Sequence, residues 1–159
     1  MNRIRIYLVA RISEDAHKWN KKITAELKEP FDVFLPHEHN PYQMKPSSFC
    51  KEVFDVDLEA IKQSALGLML PYYGKDCAWE AGWYANSNKP LVVFVDNETE
   101  WLNDWMVKGG LDYVITTNKD TFDLLENDII LKHKKVIFID KLSDLQNELE
   151  KIYNKHYLK

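Results

Sequence analysis

"LGLMLPYYGKDCAWEAGWYANSNKPLVVFV", residues 66–95, holds two short apolar runs, 66–70 and 91–95, on either side of a stretch rich in tryptophan and small residues. Each run is flanked by proline and shows no polar alternation, the pattern of a strand buried on both faces. The segment between them predicts a helix beginning at Cys77, with Asp76 as a candidate N-cap. A strand, a helix and a strand in this order favour a parallel sheet, because a parallel crossover lays its helix on the sheet.

The same alternation continues in both directions. "IRIYLVA" (4–10) is a β-branched and aromatic run, and "SEDAHKWNKKITAELKE" (13–29) starts on a capping-type serine with Trp19, Ile23 and Leu27 at four-residue spacing. "FDVFLP" (31–36) reads as a strand stopped by Pro36, and "HEHNPYQMKPSS" (37–48) as the longest irregular stretch. "SFCKEVFDVDLEAIKQSA" (48–65) predicts a helix with Phe49, Val53, Val56 and Ala60 on one side. Beyond residue 95 come a short helix near "TEWLNDWMVK" (99–108), a strand "YVITT" (113–117) and the stretch "TFDLLENDIILK" (121–132). A strand "KVIFI" (135–139) and an amphipathic helix with Asp140 or Ser143 as candidate caps end the pattern. Residues 1–159 are therefore expected to form one doubly wound α/β domain, a mostly parallel sheet of five or six strands with helices on both faces. Ligands in such sheets bind beyond the carboxyl ends of the strands, which directs attention to residues 7–13, 36–48, 71–80 and 96–104.

Composition narrows the function classes. Hydrophobic residues are 45% and charged residues 29%, a globular balance, and the formal net charge of -4 supplies no basic field for nucleic acid or an anionic membrane. No apolar run approaches the roughly 20 residues of a membrane-spanning helix, and the charges in "MNRIRIYLVARIS" do not suit a signal peptide, so a cytoplasmic location is expected. The two cysteines, Cys50 and Cys77, form no Cys-x-x-Cys pair and predict neither a disulfide framework nor a structural zinc site. "LVARIS" after the first strand lacks glycine, and Gly109-Gly110 precede a strand, which argues against a dinucleotide fold and a P-loop. His37, Glu38 and His39 are metal-ligand types, yet no third or fourth ligand is evident nearby, and a polar loop lining a pocket is the favoured reading.

Carboxylates are the stronger lead: Asp57, Asp76, Glu80, Asp96 and Asp104. Glu80 stands out because it lies between apolar neighbours, where a buried carboxylate needs partners, and because Ala78, Ala81 and Gly82 leave room for a close approach. One turn into a helix, the dipole favours the ionised carboxylate a nucleophile requires.

"IYLVARI" (6–12), "VDLEAIKQSALGLML" (56–70) and "DCAWEAGWYANSNKPLVVF" (76–94) resemble, in order and spacing, the motifs of the nucleoside 2-deoxyribosyltransferases and their nucleoside-monophosphate N-glycosidase relatives. "NDWMVKGGLDYVI" (103–115) is similar to a further family segment, so the resemblance covers about residues 4–118. It implies a flavodoxin/Rossmann-like fold and exchange of the nucleobase of a 2′-deoxynucleoside through a covalent deoxyribosyl-glutamate. Glu80 would be the nucleophile, Tyr7 would orient it, and Asp57 would handle the proton of the departing or arriving base. No cofactor and no metal are implied. The implied partners are a small-molecule nucleoside and nucleobase, in a homo-oligomer whose sites lie near subunit interfaces.

The chain also departs from the family pattern. Gly74 stands where the family has aspartate, and Asp76-Cys77 where it has Gly-Thr, which shifts the expected sugar-hydroxyl recognition to Asp76 or Lys75. The subunit-bridging asparagine aligns with Asp104, with Met106 two residues on. Ser64-Ala65 replaces an Ala-Asp. Arg11 replaces a proline and is open to two readings, a ligand for a 5′-phosphate or, favoured, an ion-pair partner of Asp15 or Glu14. Trp79 with Trp83, and Trp101 with Trp105, are expected as core or subunit contacts, with Trp105 alone at an expected site position. Hydrolysis of a nucleoside or its monophosphate, and a non-catalytic nucleotide sensor, remain as alternatives to transfer.

Overall fold

The computed structural model describes residues 3–39, 50–97 and 103–158. Its strands are β1 (Ile4–Val9), β2 (Phe31–Phe34), β3 (Leu66–Met69), β4 (Leu91–Val95), β5 (Tyr113–Thr116) and β6 (Lys135–Phe138). They form one six-stranded sheet in the order β2-β1-β3-β4-β5-β6, with all five pairings parallel. Between them run α1 (Glu14–Thr24), the single turn α2 (Pro36–His39), α3 (Cys50–Gln63), α4 (Lys75–Ala85), α5 (Trp105–Gly110) and α6 (Lys119–Asn127), and α7 (Leu145–Tyr157) follows β6. The expected doubly wound α/β fold is the one observed.

Period-two alternation divides each strand between two cores. Tyr7, Val9, Met69, Val93 and Val95 face α3 and α4, meeting Ala60, Ile61, Cys77, Ala81 and Tyr84. Ile6, Leu8, Leu66, Leu68, Val92 and Phe94 face the other way, onto Ile23 of α1 and Leu145, Leu149 and Ile152 of α7. Burial on both faces is why these strands read as unbroken apolar runs.

The chain crosses from β1 outward to β2 and then back past β1 to β3, so the helices after β1 and β3 leave the sheet in opposite directions. A crevice opens between the carboxyl ends of β1 and β3, the switch point where doubly wound sheets bind ligands. α4 begins at that crevice.

Several local expectations need correction. Asp76 does not cap α4: Gly74 is the N-cap, with no side-chain cap bond, and Asp76 lies in the first turn. Neither Asp140 nor Ser143 caps α7, because a 3-10 turn (Leu142–Asp144) intervenes and leaves Asp144 at the cap position without a side-chain bond. Ser13 caps α1 as expected, accepting from the Ala16 N–H at 3.4 Å. Pro36 opens a helical turn as well as ending the strand. On α3, Ala60 is buried but Val56 is 45% exposed, because the inward stripe runs through Ala60 and Ile61 and turns Val56 outward. Phe49, Trp101, most of the irregular 37–48 stretch and the start of the 99–108 helix lie outside the described residues.

Candidate active site

Tyr7 sits near the end of β1, fully buried, with Phe34 of β2 and Gly67 of β3 as its register partners. Its ring stacks on Phe34 at 5.6 Å between centroids. Its hydroxyl passes beneath α4 and donates to Glu80 Oε1 at 2.5 Å. Glu80 reaches this point because Cys77, Ala81 and Tyr84 on the same helix are buried against the sheet, which fixes the rotation of α4. Gly67 allows the close fit: a Cβ there would stand 2.6 Å from the Tyr84 ring. Tyr84 is held in turn by a 2.7 Å hydrogen bond with Ser64 Oγ, so the serine that departs from the family pattern anchors the end of α3 to α4. Lys89 closes the same corner by donating to the Lys62 and Ser64 carbonyls.

Above Glu80 lies a cavity of about 810 Å³, within the roughly 300–1,000 Å³ usual for small-molecule sites. Ala10, Arg11 and Ile12 after β1, His37 after β2, the Asp57 face of α3, and Gly74 with the first turns of α4 wall it. Its carboxyl groups are Asp57, Asp76 and Glu80. Burial pushes Glu80 up to about 8 against the lowering effect of the Tyr7 hydrogen bond, with the Asp57 and Asp76 charges adding to the rise. Burial and the Asp76 charge push Asp57 up to about 6. The Tyr7 hydroxyl is raised well above its ordinary value by burial and by Glu80, so it stays a donor. Burial takes the Cys77 thiol up to about 12, which leaves it an inert, protonated lining group.

Arg11 is exposed at the cavity wall, and among the described residues it forms no ion pair with Glu14 or Asp15. The ion-pair reading of Arg11 therefore does not hold: its backbone N–H bonds the Tyr72 carbonyl at 2.9 Å, which turns the segment toward the cavity. Of the other expected binding residues, Gly74 and Asp76 line the cavity, whereas Lys75, Asp104 and Met106 do not. Lys75 is exposed on the first turn of α4. Asp104 N-caps α5, accepting from Met106 N and Val107 N at 3.0 and 3.1 Å, and takes a 2.7 Å hydrogen bond from Tyr73. Those bonds, the Tyr73 hydroxyl first, hold its carboxyl below the usual range. Met106 is 86% exposed beside it.

The family's sequence profile, described as "Nucleoside 2-deoxyribosyltransferase like", matches residues 3–105, which include Tyr7, Asp57 and Glu80. The chain belongs to this family. Its fold is similar to that of a 2-deoxyribosyltransferase from the psychrotolerant bacterium Bacillus psychrosaccharolyticus, at 24% identity and a TM-score of 0.57 over 85% of this chain and 99% of that one. A conserved protein from Enterococcus faecalis V583 is similar at 19% identity and the same TM-score of 0.57, over 94% of this chain and 99% of that one. No curated protein sequence matches the chain. Membership in a nucleoside 2-deoxyribosyltransferase-like family implies small-molecule substrates and transferase-type chemistry.

In this family member, part of the cavity wall was not anticipated from sequence. Trp79, expected in a core or subunit contact, does not enter the core: it is 50% exposed and lines the cavity with Phe54, which is 47% exposed. Trp83 does pack against the core, and Trp105, 75% exposed, lies outside the cavity wall. Helical spacing carried a usable signal, since Phe54 precedes Asp57 by three residues and so shares its side of α3. His37 lines the pocket as expected, but from the helical turn α2 and not from a loop. Among the described residues no group of three or more His, Cys, Asp or Glu is disposed to hold a metal ion. None of the described helices is long and apolar enough to cross a membrane.

Proposed function

We propose that the protein exchanges the nucleobase of 2′-deoxynucleosides through a covalent deoxyribosyl ester on Glu80. The observation that carries this reading is the 2.5 Å hydrogen bond from the Tyr7 hydroxyl to Glu80 Oε1 at the floor of a cavity that Asp57 also lines. Tyr7 fixes one carboxylate oxygen, leaving the other to approach the anomeric carbon. Cleavage passes through an oxocarbenium-like centre, which carboxylates stabilise, while the departing base needs a proton on its nitrogen.

Proton bookkeeping supports the pairing of Glu80 with Asp57. With one carboxyl raised to about 8 and the other to about 6, the resting site at neutral pH holds one proton, mainly on Glu80. One proton is what the half-reaction consumes. Passed to Asp57 and on to the base, it leaves Glu80 ionised for attack; the C–N bond breaks, the base departs as its N–H form, and the sugar is held as the Glu80 ester. An incoming base then returns its proton to Asp57 as it displaces the carboxylate, giving transfer with retention at the anomeric carbon.

Hydrolysis is the second reading, favoured by one observation: the exposed guanidinium of Arg11 at the cavity wall, free to meet a 5′-phosphate. Incubating 2′-deoxynucleosides and their 5′-monophosphates with and without an acceptor base separates the two. New nucleoside that requires the acceptor supports transfer, and free sugar released without it supports hydrolysis. A 2-fluoro-arabinosyl nucleoside should trap a mass adduct on Glu80; ligand binding with neither adduct nor product would point to a sensor instead.

A further inference from the structure

Phe54 and Trp79 meet edge to face, 5.6 Å between ring centroids at 63°, on the wall of the cavity that holds Asp57 and Glu80. The two rings are 47% and 50% exposed, on helices that send Ala60, Ile61, Cys77, Ala81 and Tyr84 into the core. Phe54 stands one turn before Asp57 on α3, and Trp79 adjoins Glu80 on α4, so the aromatic surface flanks both carboxyl groups. Ile12 and Leu58 extend the apolar wall. A ligand entering this cavity meets carboxyl groups and, beside them, aromatic surface.

We propose that Phe54 and Trp79 form the stacking surface for the nucleobase and that they favour bicyclic purines over monocyclic pyrimidines. The inference rests on the nucleoside reading of the site. A sugar carbon placed over Glu80 leaves its attached base within the part of the cavity these rings wall. Stacking gains grow with the overlapped ring area, so a purine gains more from an indole and a phenyl than a pyrimidine does. Both side chains bind; neither takes part in bond breaking.

The test combines Trp79→Ala, Trp79→Phe and Phe54→Ala in the full chain, with melting curves to confirm folding. With 2′-deoxyadenosine as substrate, Trp79→Ala and Phe54→Ala should each raise KM about ten-fold, the factor given by about 1.4 kcal/mol of lost stacking, with kcat little changed. Trp79→Phe should recover most of that loss. The penalty with thymidine should be smaller, which lowers the purine preference. Free adenine should quench the tryptophan fluorescence of the native protein, and Trp79→Phe should remove that part of the quenching while 2-deoxyribose causes none.

Unchanged KM for both bases in Trp79→Ala and Phe54→Ala would overturn the proposal. So would a fall in particle mass by light scattering with unchanged KM, which would make the pair a contact between copies. Turnover that depends on Glu80 but not on Trp79 or Phe54 removes the stacking surface and keeps the proposed reaction. Trp79-dependent quenching by adenine in a protein that turns over no nucleoside keeps the stacking surface and removes the reaction.

Discussion

Glu80 and Asp128 are both half-buried carboxyl groups, and the molecule treats them in opposite ways. Asp128, just beyond α6, accepts from Lys108 Nζ at 2.7 Å and from the Ile130 and Leu131 N–H groups at 2.9 and 3.0 Å. Burial alone would raise its pKa, but the Lys108 bond and the backbone donors outweigh it and the net shift is downward. Among the described residues Glu80 has one neutral donor, Tyr7, and two further carboxyl groups near enough to push its pKa up. Asp128 ties α5 to the 3-10 turn (Leu131–His133) after α6, whereas Glu80 faces a cavity with its pKa pushed up by burial. A fully compensated carboxylate serves the fold, and an undercompensated one is available to a ligand.

The largest effect should come from removing the exposed side of this contrast. Glu80→Gln is expected to lower base exchange by at least about a thousand-fold, followed by chromatographic product analysis, because among the described residues no second carboxylate is bonded to Tyr7. Its melting temperature should stay level or rise, since an incompletely compensated buried acid is gone. Undiminished exchange would end the assignment of Glu80.

Lys108→Ala should do the reverse, costing about 3 kcal/mol of stability in urea titrations by stranding Asp128, whose partner is only 7% exposed at the side chain. Activity per folded molecule should change little. A loss within experimental scatter would mean that Asp128 is satisfied by its two backbone donors.

Tyr7→Phe sharpens the comparison from the other side. It removes the one interaction that lowers the Glu80 pKa, so the falling limb of the pH profile of kcat/KM, where the site loses its one proton, should move above about 8. Activity at neutral pH should fall about ten- to a hundred-fold. A profile that keeps its midpoint would remove Tyr7 from the orienting role.

The smallest effect concerns stability against pH. Glu80 has a folded pKa of about 8 against an unfolded 4.5, so its contribution is fully present below pH 4.5 and is lost as pH rises through 8. Asp57, raised from 3.8 to about 6, acts in the same direction at lower pH. Asp128, shifted down, contributes above its unfolded pKa and loses that contribution as pH falls through the folded one. Melting temperatures should decline between about pH 5 and pH 8 in the native protein, and Glu80→Gln should flatten the decline. A native curve that rises across the interval would show that other groups dominate.

The fold was legible because both faces of every interior strand are covered. "LVVFV" matches β4 at both ends, and the serine before α1 caps it. The errors fall where local chemistry was ambiguous: either Gly74 or Asp76 could cap a helix, and the 3-10 turn before α7 resembles the helix it precedes. Tyr7 and Glu80 were paired on sequence resemblance, and the hydrogen bond between them is present; their roles in a reaction stand as proposed above. Of the two contacts expected for Trp79, the core is not the one formed: helical spacing from Trp83 suggests a shared buried face, whereas two residues four apart differ by about 40° around a helix. That angle is enough for Trp83 to reach the core and Trp79 to reach the cavity.

Short-range pattern determined the strands, their burial on both faces and the presence of a carboxylate in an otherwise apolar helix, because each depends on residue spacing within one element. The tertiary structure decided what surrounds that carboxylate. Strand order brings β1 beside β3 and places Tyr7 beneath α4, and the rotation of α4, fixed by Cys77, Ala81 and Tyr84 against the sheet, turns Glu80 to meet it. The same rotation exposes Trp79 to the cavity. Distances and burial set the charge on Glu80, and both arise from residues far apart in the chain.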